Sequence, residues 1–234
     1  MSRHISEQYD AELETARRRL MEMGGLVEQQ LRDAMRALTT RDSALAGTVI
    51  ERDHEVNRFE VSLDEQCIHI IARRQPTATD LRLLVTIMKA STDLERVGDE
   101  TNRIAKMARK LSNLDAGPDQ YPDIQRLYQL VEKLVAGALN ALARLDTKEA
   151  LAKIADDRAV DDEYHAVIQN LARSMMEHPS TVERDLDIIW AARALERIGD
   201  HAKNISEYVL YLVEGKDIRH LPKGTFGTLK PDPR

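Results

Sequence analysis

Much of what builds other protein classes is scarce in this chain. It has one cysteine, Cys67, so no disulfide can form within it and a reducing compartment is the expected setting. Aromatic residues are only 4% of the sequence, and runs of β-branched residues are few, which removes the usual material of strands. Glycine and proline, 10 and 7 residues, are too sparse for a loop-rich or low-complexity chain. A net charge of -6 and the absence of a basic stripe argue against nucleic acid as a partner. The amino terminus, MSRHISEQYDAELE, is too polar for a signal peptide, and no apolar run approaches the ~20 residues needed to cross a bilayer. The expected location is therefore cytoplasmic. The sequence contains no GxxxxGK[ST], GxSxG or HExxH, so nucleotide hydrolysis, serine hydrolysis and zinc proteolysis have no motif behind them.

What is abundant is helical periodicity. Leu13, Ala16, Leu20, Met23, Val27, Leu31, Met35 and Leu38 recur in steps of three and four, which predicts one long amphipathic helix over 5–39. A polar turn at 39–43 leads into a second helix over 43–74, with Val49, Val56, Leu63, Cys67, Ile70 and Ile71 on its apolar side and Pro76 ending it. Thr77 and Asp80 have the spacing of a capping box, and a third helix follows to about 113 along Ile87, Ser91, Leu94, Val97, Thr101, Ile104, Ala108 and Leu111. After a segment with two prolines and a glycine the order repeats: helices over 123–145 and 148–177, Pro179, a capping box at Ser180 and Glu183, and a last helix. The apolar stripe of that last helix, Ile188, Leu195, Ile198, Ala202, Ile205, Val209 and Leu212, falls position by position 101 residues after its counterparts in the third. The expected architecture is all-α, two tandem three-helix bundles related by an internal repeat. The bundles should occupy 1–113 and 123–214, with a linker at 114–122 and a loosely ordered tail over 215–234.

The repeat is clearest at Leu94 to Asp99, LERVGD, and Leu195 to Asp200, LERIGD. On a helix, Glu95 with Asp99, and Glu196 with Asp200, fall on one face, where like charges repel unless a basic neighbour, water or a bound cation compensates. Acidic pairs at this spacing arise several times by chance in so acidic a chain, so either pair alone reads as a solvated face. Arg103 beside Asp99 and Lys203 beside Asp200 are the candidate neutralising residues. Gly98 and Gly199, each inside a pair, weaken the helix by roughly 1 kcal/mol relative to alanine, which suggests a close approach of another group there.

Aligning the middle helices sets Asp53 and Asn57 beside Asp157 and Asp161. If the middle and last helices of each bundle face one another, each half gathers an oxygen-rich set: Asp53, Asn57, Glu95 and Asp99 in the first, Asp157, Asp161, Glu196 and Asp200 in the second. Oxygen donors with few histidines suit a hard or borderline cation, iron, manganese or magnesium ahead of zinc. Glu51 and His54 have the Glu-x-x-His spacing of di-iron bundles, but the second half does not repeat it. A carboxylate-bridged metalloenzyme and a purely structural helical adaptor therefore stay open as alternatives.

At LERVGD and LERIGD, with Gln75-Pro76 and Asp80-Leu-Arg before the third helix and Asn-Ile-Ser-Glu-Tyr-Val-Leu-Tyr-Leu-Val-Glu-Gly-Lys-Asp after the second copy, the sequence resembles the PhoU family of phosphate transport regulators, over roughly 6–220. The resemblance implies a homodimer without catalytic activity of its own. It implies metal bound at the family's E(D)xxxD motifs, which fall on Glu95/Asp99, Glu196/Asp200 and Asp157/Asp161; Asp53/Asn57 departs from the pattern by one amide. It further implies negative regulation of the phosphate-starvation response. The implied partners are the ATPase subunit of the phosphate ABC transporter and the sensor histidine kinase, and membrane association would come only through them.

Overall fold

A computed structural model describes residues 2–113 and 122–215. Six helices account for nearly all of it: α1 Ser2–Thr40, α2 Ser43–Arg74, α3 Ala78–Ser112, α4 Pro122–Arg144, α5 Thr147–Glu177 and α6 Val182–Glu214, with one 3₁₀ turn, Pro179–Thr181, ahead of α6. The linker expected at 114–122 lies outside the described residues except for Pro122, which opens α4, and so does the expected tail except for Gly215. Among the described residues no helix is long and apolar enough to cross a membrane.

The two halves stop and restart their helices by the same local chemistry. Arg41 and Leu145 both adopt left-handed backbone, at φ 55° and 54°, and let the chain reverse. The amide that follows each one bonds back into the helix just ended, Asp42 N to Ala37 O at 3.0 Å and Asp146 N to Ala141 O at 2.9 Å. Those two aspartates then cap the next helix: Asp42 Oδ1 accepts from Leu45 N at 2.9 Å, and Asp146 Oδ1 from Lys148 N and Glu149 N at 3.0 Å. The entries to α3 and α6 differ from expectation. Thr77 makes no cap bond to the backbone and instead donates to Asp80 Oδ2 at 3.1 Å, while α6 begins after Thr181, beyond the expected capping box, because Pro179 sets a 3₁₀ turn first.

The apolar stripes read from the sequence form the core. All eight stripe residues of α1 are buried, as are Val56, Leu63 and Cys67 of α2 and the paired stripes of α3 and α6. Each buried Leu, Ile, Val or Met side chain among them contributes roughly 1.5–3 kcal/mol. Charged ties flank that core, such as Arg74 on Glu12 at 2.6 Å between α2 and α1 and Tyr9 on Asp80 at 3.0 Å between α1 and α3.

The bundles meet mainly along α3 and α6, which run antiparallel. Asp93 lies against Asn204, Glu100 against Arg197, and Lys110 against Asp187. That register puts Gly98 level with Gly199, so an approximate twofold axis crosses the seam there and relates the halves. One side of it is anchored by a single carboxylate: buried Asp93 accepts from His201 Nδ1 at 2.7 Å, Asn204 Nδ2 at 3.2 Å and the Tyr208 hydroxyl at 2.7 Å.

Candidate functional site

Close helix packing builds the site. A Cβ added to Gly98 would lie 3.2 Å from Cγ1 of Val56, and one added to Gly199 would lie 3.1 Å from Cγ1 of Val160. The close approach expected at each glycine is therefore that of a valine on the neighbouring middle helix. Val56 lies three residues past Asp53 and Val160 three past Asp157, so this contact turns the aspartate of the middle helix toward the pair on the last one.

In the first bundle Asp53, Glu95 and Asp99 share one electrostatic neighbourhood. Burial raises the Glu95 carboxyl above the usual range, and Asp99, Glu60 and Asp53 raise it further, with Arg96 opposing. Arg96 sits at the rim, 3.5 Å from Glu95 and 3.8 Å from Asp99. Arg103, expected beside Asp99, pairs instead with buried Glu100 at 3.0 Å. Glu60 was not anticipated; it accepts from Thr92 at 3.1 Å and lies seven residues, two helical turns, past Asp53, a spacing that could have singled it out. Asn57, one turn beyond Asp53, is exposed.

In the second bundle Asp157, Asp161, Glu196 and Asp200 gather in the equivalent place. Burial raises Glu196, followed by Asp200 and Asp161, against the pull of Arg193 and Arg197. Burial also raises Asp200, followed by Asp157 and Asp161, while Lys203 and His201 oppose. Lys203 does not bond Asp200 as expected: its Nζ donates to Asp157 Oδ2 at 2.6 Å. Burial would depress the Lys203 ammonium, yet the bond to Asp157 and the field of Asp200 keep it above its ordinary value.

The histidines serve elsewhere. His54 is exposed and bonded to the Glu51 carbonyl, so the Glu-x-x-His spacing is not turned into a site. His165 donates to the Asp161 carbonyl at 2.7 Å, and His201 points across the seam to Asp93. Cys67 is buried, and burial followed by the charge of Asp64 pushes its thiol up to about 12, which disfavours the thiolate that a ligand or nucleophile needs.

The donor chemistry suits a hard cation. Asp53 Oδ1, Asp157 Oδ1 and Glu196 Oε2 are buried without a hydrogen-bond partner, a costly condition that a cation relieves. Among the described residues no group of three or more His, Cys, Asp or Glu side chains stands close enough to hold a metal ion.

A family profile for the PhoU domain matches residues 20–108 and again 124–209, one copy in each bundle. The chain belongs to the PhoU family. Among its PhoU relatives, the phosphate-specific transport system accessory protein PhoU homolog of Pseudomonas aeruginosa is 48% identical over 94% of this chain and 91% of its own length. The phosphate-specific transport system accessory protein PhoU of Escherichia coli K12 is 42% identical over 94% of this chain and 91% of its own. Solved PhoU structures superpose closely. PhoU from Pseudomonas aeruginosa matches with a TM-score of 0.86 at 47% identity, covering 89% of this chain and 100% of that one. The phosphate transport system regulatory protein PhoU from Streptococcus pneumoniae gives 0.83 at 25% identity, covering 89% and 98%.

Proposed function

We propose that this chain is a negative regulator of the phosphate-starvation response and a modulator of phosphate uptake, coupling the phosphate ABC transporter to its sensor histidine kinase through protein contacts. The observation that carries the reading is near full-length similarity to accessory proteins of the phosphate-specific transport system. Several features support it. The chain's relatives are named accessory proteins, which supports a role in binding rather than turnover. Val182, Leu186 and Trp190 stand exposed at four-residue spacing on α6, 38%, 46% and 63% accessible, an apolar ridge suited to a protein partner. The partners are the transporter's ATPase subunit in the cytoplasm and the kinase, and the working form is a homodimer.

Metal belongs to this reading. Asp53, Glu95 and Asp99 in one half, and Asp157, Asp161, Glu196 and Asp200 in the other, are the residues to hold it, with Asn57 at the exposed margin. The ion is iron, manganese, magnesium or zinc, with oxygen-preferring ions favoured by the donors. When bound, it supplies positive charge that offsets the crowded carboxylates. The chain's own residues orient those carboxylates through the packing of Gly98 on Val56 and Gly199 on Val160.

Deleting the gene tests the regulatory role. A phosphate-starvation reporter should become active in high phosphate and return to repression on complementation, whereas a reporter that stays repressed in the deletion strain overturns the reading.

A further inference from the structure

The seam between the bundles is tied at one end and open at the other. At the tied end Asp187 of α6, 4% exposed, accepts from Lys110 of α3 at 3.0 Å. The residue 101 positions before Asp187, at the same place on α3, is Thr86. Its side chain is wholly buried, and its hydroxyl has no hydrogen-bond partner among the described residues. Thr86 lines a cavity of about 270 Å³ whose walls are mainly apolar, with Leu83 and Ile87 of α3 on one side and Leu212 of α6 on the other. Both bundles therefore contribute to it. Arg17 and Arg18 of α1 stand at the same cavity, with Glu14 as the single acid in its wall. The bond from Tyr9 to Asp80 fixes the level of α1 against α3, which runs parallel to it: an offset of 71 residues puts Thr86 beside Thr15, within one turn of both arginines.

We propose that this cavity binds a small aliphatic monocarboxylate, its carboxylate held by the Thr86 hydroxyl and the Arg17 guanidinium and its chain by the apolar walls. A buried hydroxyl left unpaired is costly, and an anionic oxygen is the acceptor that relieves it most. Arg17 has donors to spare: it approaches Glu14 only to 3.6 Å, beyond hydrogen-bond distance, and gives one N–H of its fork to the Ala143 carbonyl at 3.3 Å. Arg18, 64% exposed and 3.8 Å from Glu22, adds positive charge at the rim. Size narrows the class further. Pockets for drug-sized ligands run from roughly 300 to 1,000 Å³, so this one suits a molecule smaller than a nucleotide. The leucine and isoleucine walls offer nothing to a bare inorganic anion and favour an alkyl chain. A neutral alcohol satisfies Thr86 but leaves Arg17 unused. A ligand lodged there touches α1 and α3 of one bundle and α6 of the other at once.

The test is isothermal titration calorimetry of the purified full chain with octanoate, circular dichroism confirming the fold of each variant. Wild type should take up octanoate saturably, about one per chain, and octanol about tenfold more weakly. Arg17→Gln should weaken octanoate by about tenfold and Thr86→Val by about fivefold, while Leu83→Trp, which fills the cavity, should remove binding. Arg109→Gln, at the far end of α3, should bind as wild type does. Octanoate that fails to saturate, or that binds Leu83→Trp as tightly as wild type, would overturn the inference by marking adsorption elsewhere on the surface. Equal affinity for octanoate and octanol would overturn it too, since the arginine would then be reading no charge.

Discussion

The first and second bundles share a scaffold and differ in charge. Their turns reverse at Arg41 and Leu145 with the same backbone, their aspartate caps coincide, and their glycines admit a valine at nearly the same distance. Yet Asn102 faces Lys203 across the repeat, Asn57 faces Asp161, Glu60 faces Tyr164, and Asp93 faces Ala194. Backbone geometry and apolar packing tolerate little change, because a misplaced methylene or a left-handed residue costs free energy in either half. Polar side chains beside that packing are freer to diverge. The comparison teaches that equivalent positions in the fold do not imply equivalent electrostatics.

The largest expected effect comes from making the seam symmetrical. Asp93→Ala would give α3 the residue that α6 has at position 194, and it would leave His201, Asn204 and Tyr208 without their shared acceptor. Losing a buried carboxylate bonded to three donors should cost about 3 kcal/mol. A melting curve should show Tm lower by about 6–12 °C at this chain length. A shift under about 2 °C would mean that the Asp93 bonds add little to the seam.

A middle-sized effect separates the two acidic sets. In metal-free protein Lys203→Met strands Asp157, which is 4% exposed, and should cost about 2 kcal/mol in urea unfolding. The mate, Asn102→Met, removes no charge partner and should stay within about 1 kcal/mol of wild type. Equal losses would mean that the Lys203–Asp157 pair does not set the two acidic sets apart.

The smallest effect is a pH dependence. The folded-state values of Glu196 and Asp200 lie above their usual ones, chiefly through burial and then through neighbouring carboxylates. A raised carboxyl favours the fold while protonated, and that contribution is lost as pH rises through the folded value. Glu196→Gln/Asp200→Asn should therefore stabilise metal-free protein by about 1 kcal/mol at pH 7, or about 2–4 °C in Tm, and the advantage should disappear by about pH 4. Glu95→Gln should act in the same direction and more weakly, since it relieves one raised group in place of two. An advantage that persists at pH 4 would show that the effect is not electrostatic.

Much of this molecule was legible in its sequence because helical spacing is a local signal. The stripe from Leu13 to Leu38 named the buried face of α1, Pro76 and Pro179 marked real ends, and LERVGD with LERIGD located both acidic sets. What escaped depends on register between segments far apart. Nothing local says that Asp93 meets three residues of α6, that Lys203 reaches past Asp200 to Asp157, or that Arg103 turns to Glu100. The capping boxes at Thr77 and Ser180 failed for a different reason: a nearby proline and a competing carboxylate, Asp80, offered the hydroxyl or the chain another arrangement. Glu60 was within reach of periodicity, two turns from Asp53, but it belongs to no repeated motif.

The antiparallel seam has a consequence for how such a molecule changes over time. Two separate copies of one subunit, meeting about a twofold axis, are obliged to carry every substitution twice, so a lysine beside one acidic set and an asparagine beside the other could not coexist. Joined end to end in one polypeptide, the halves keep that symmetry in their backbone while each is free to drift on its own.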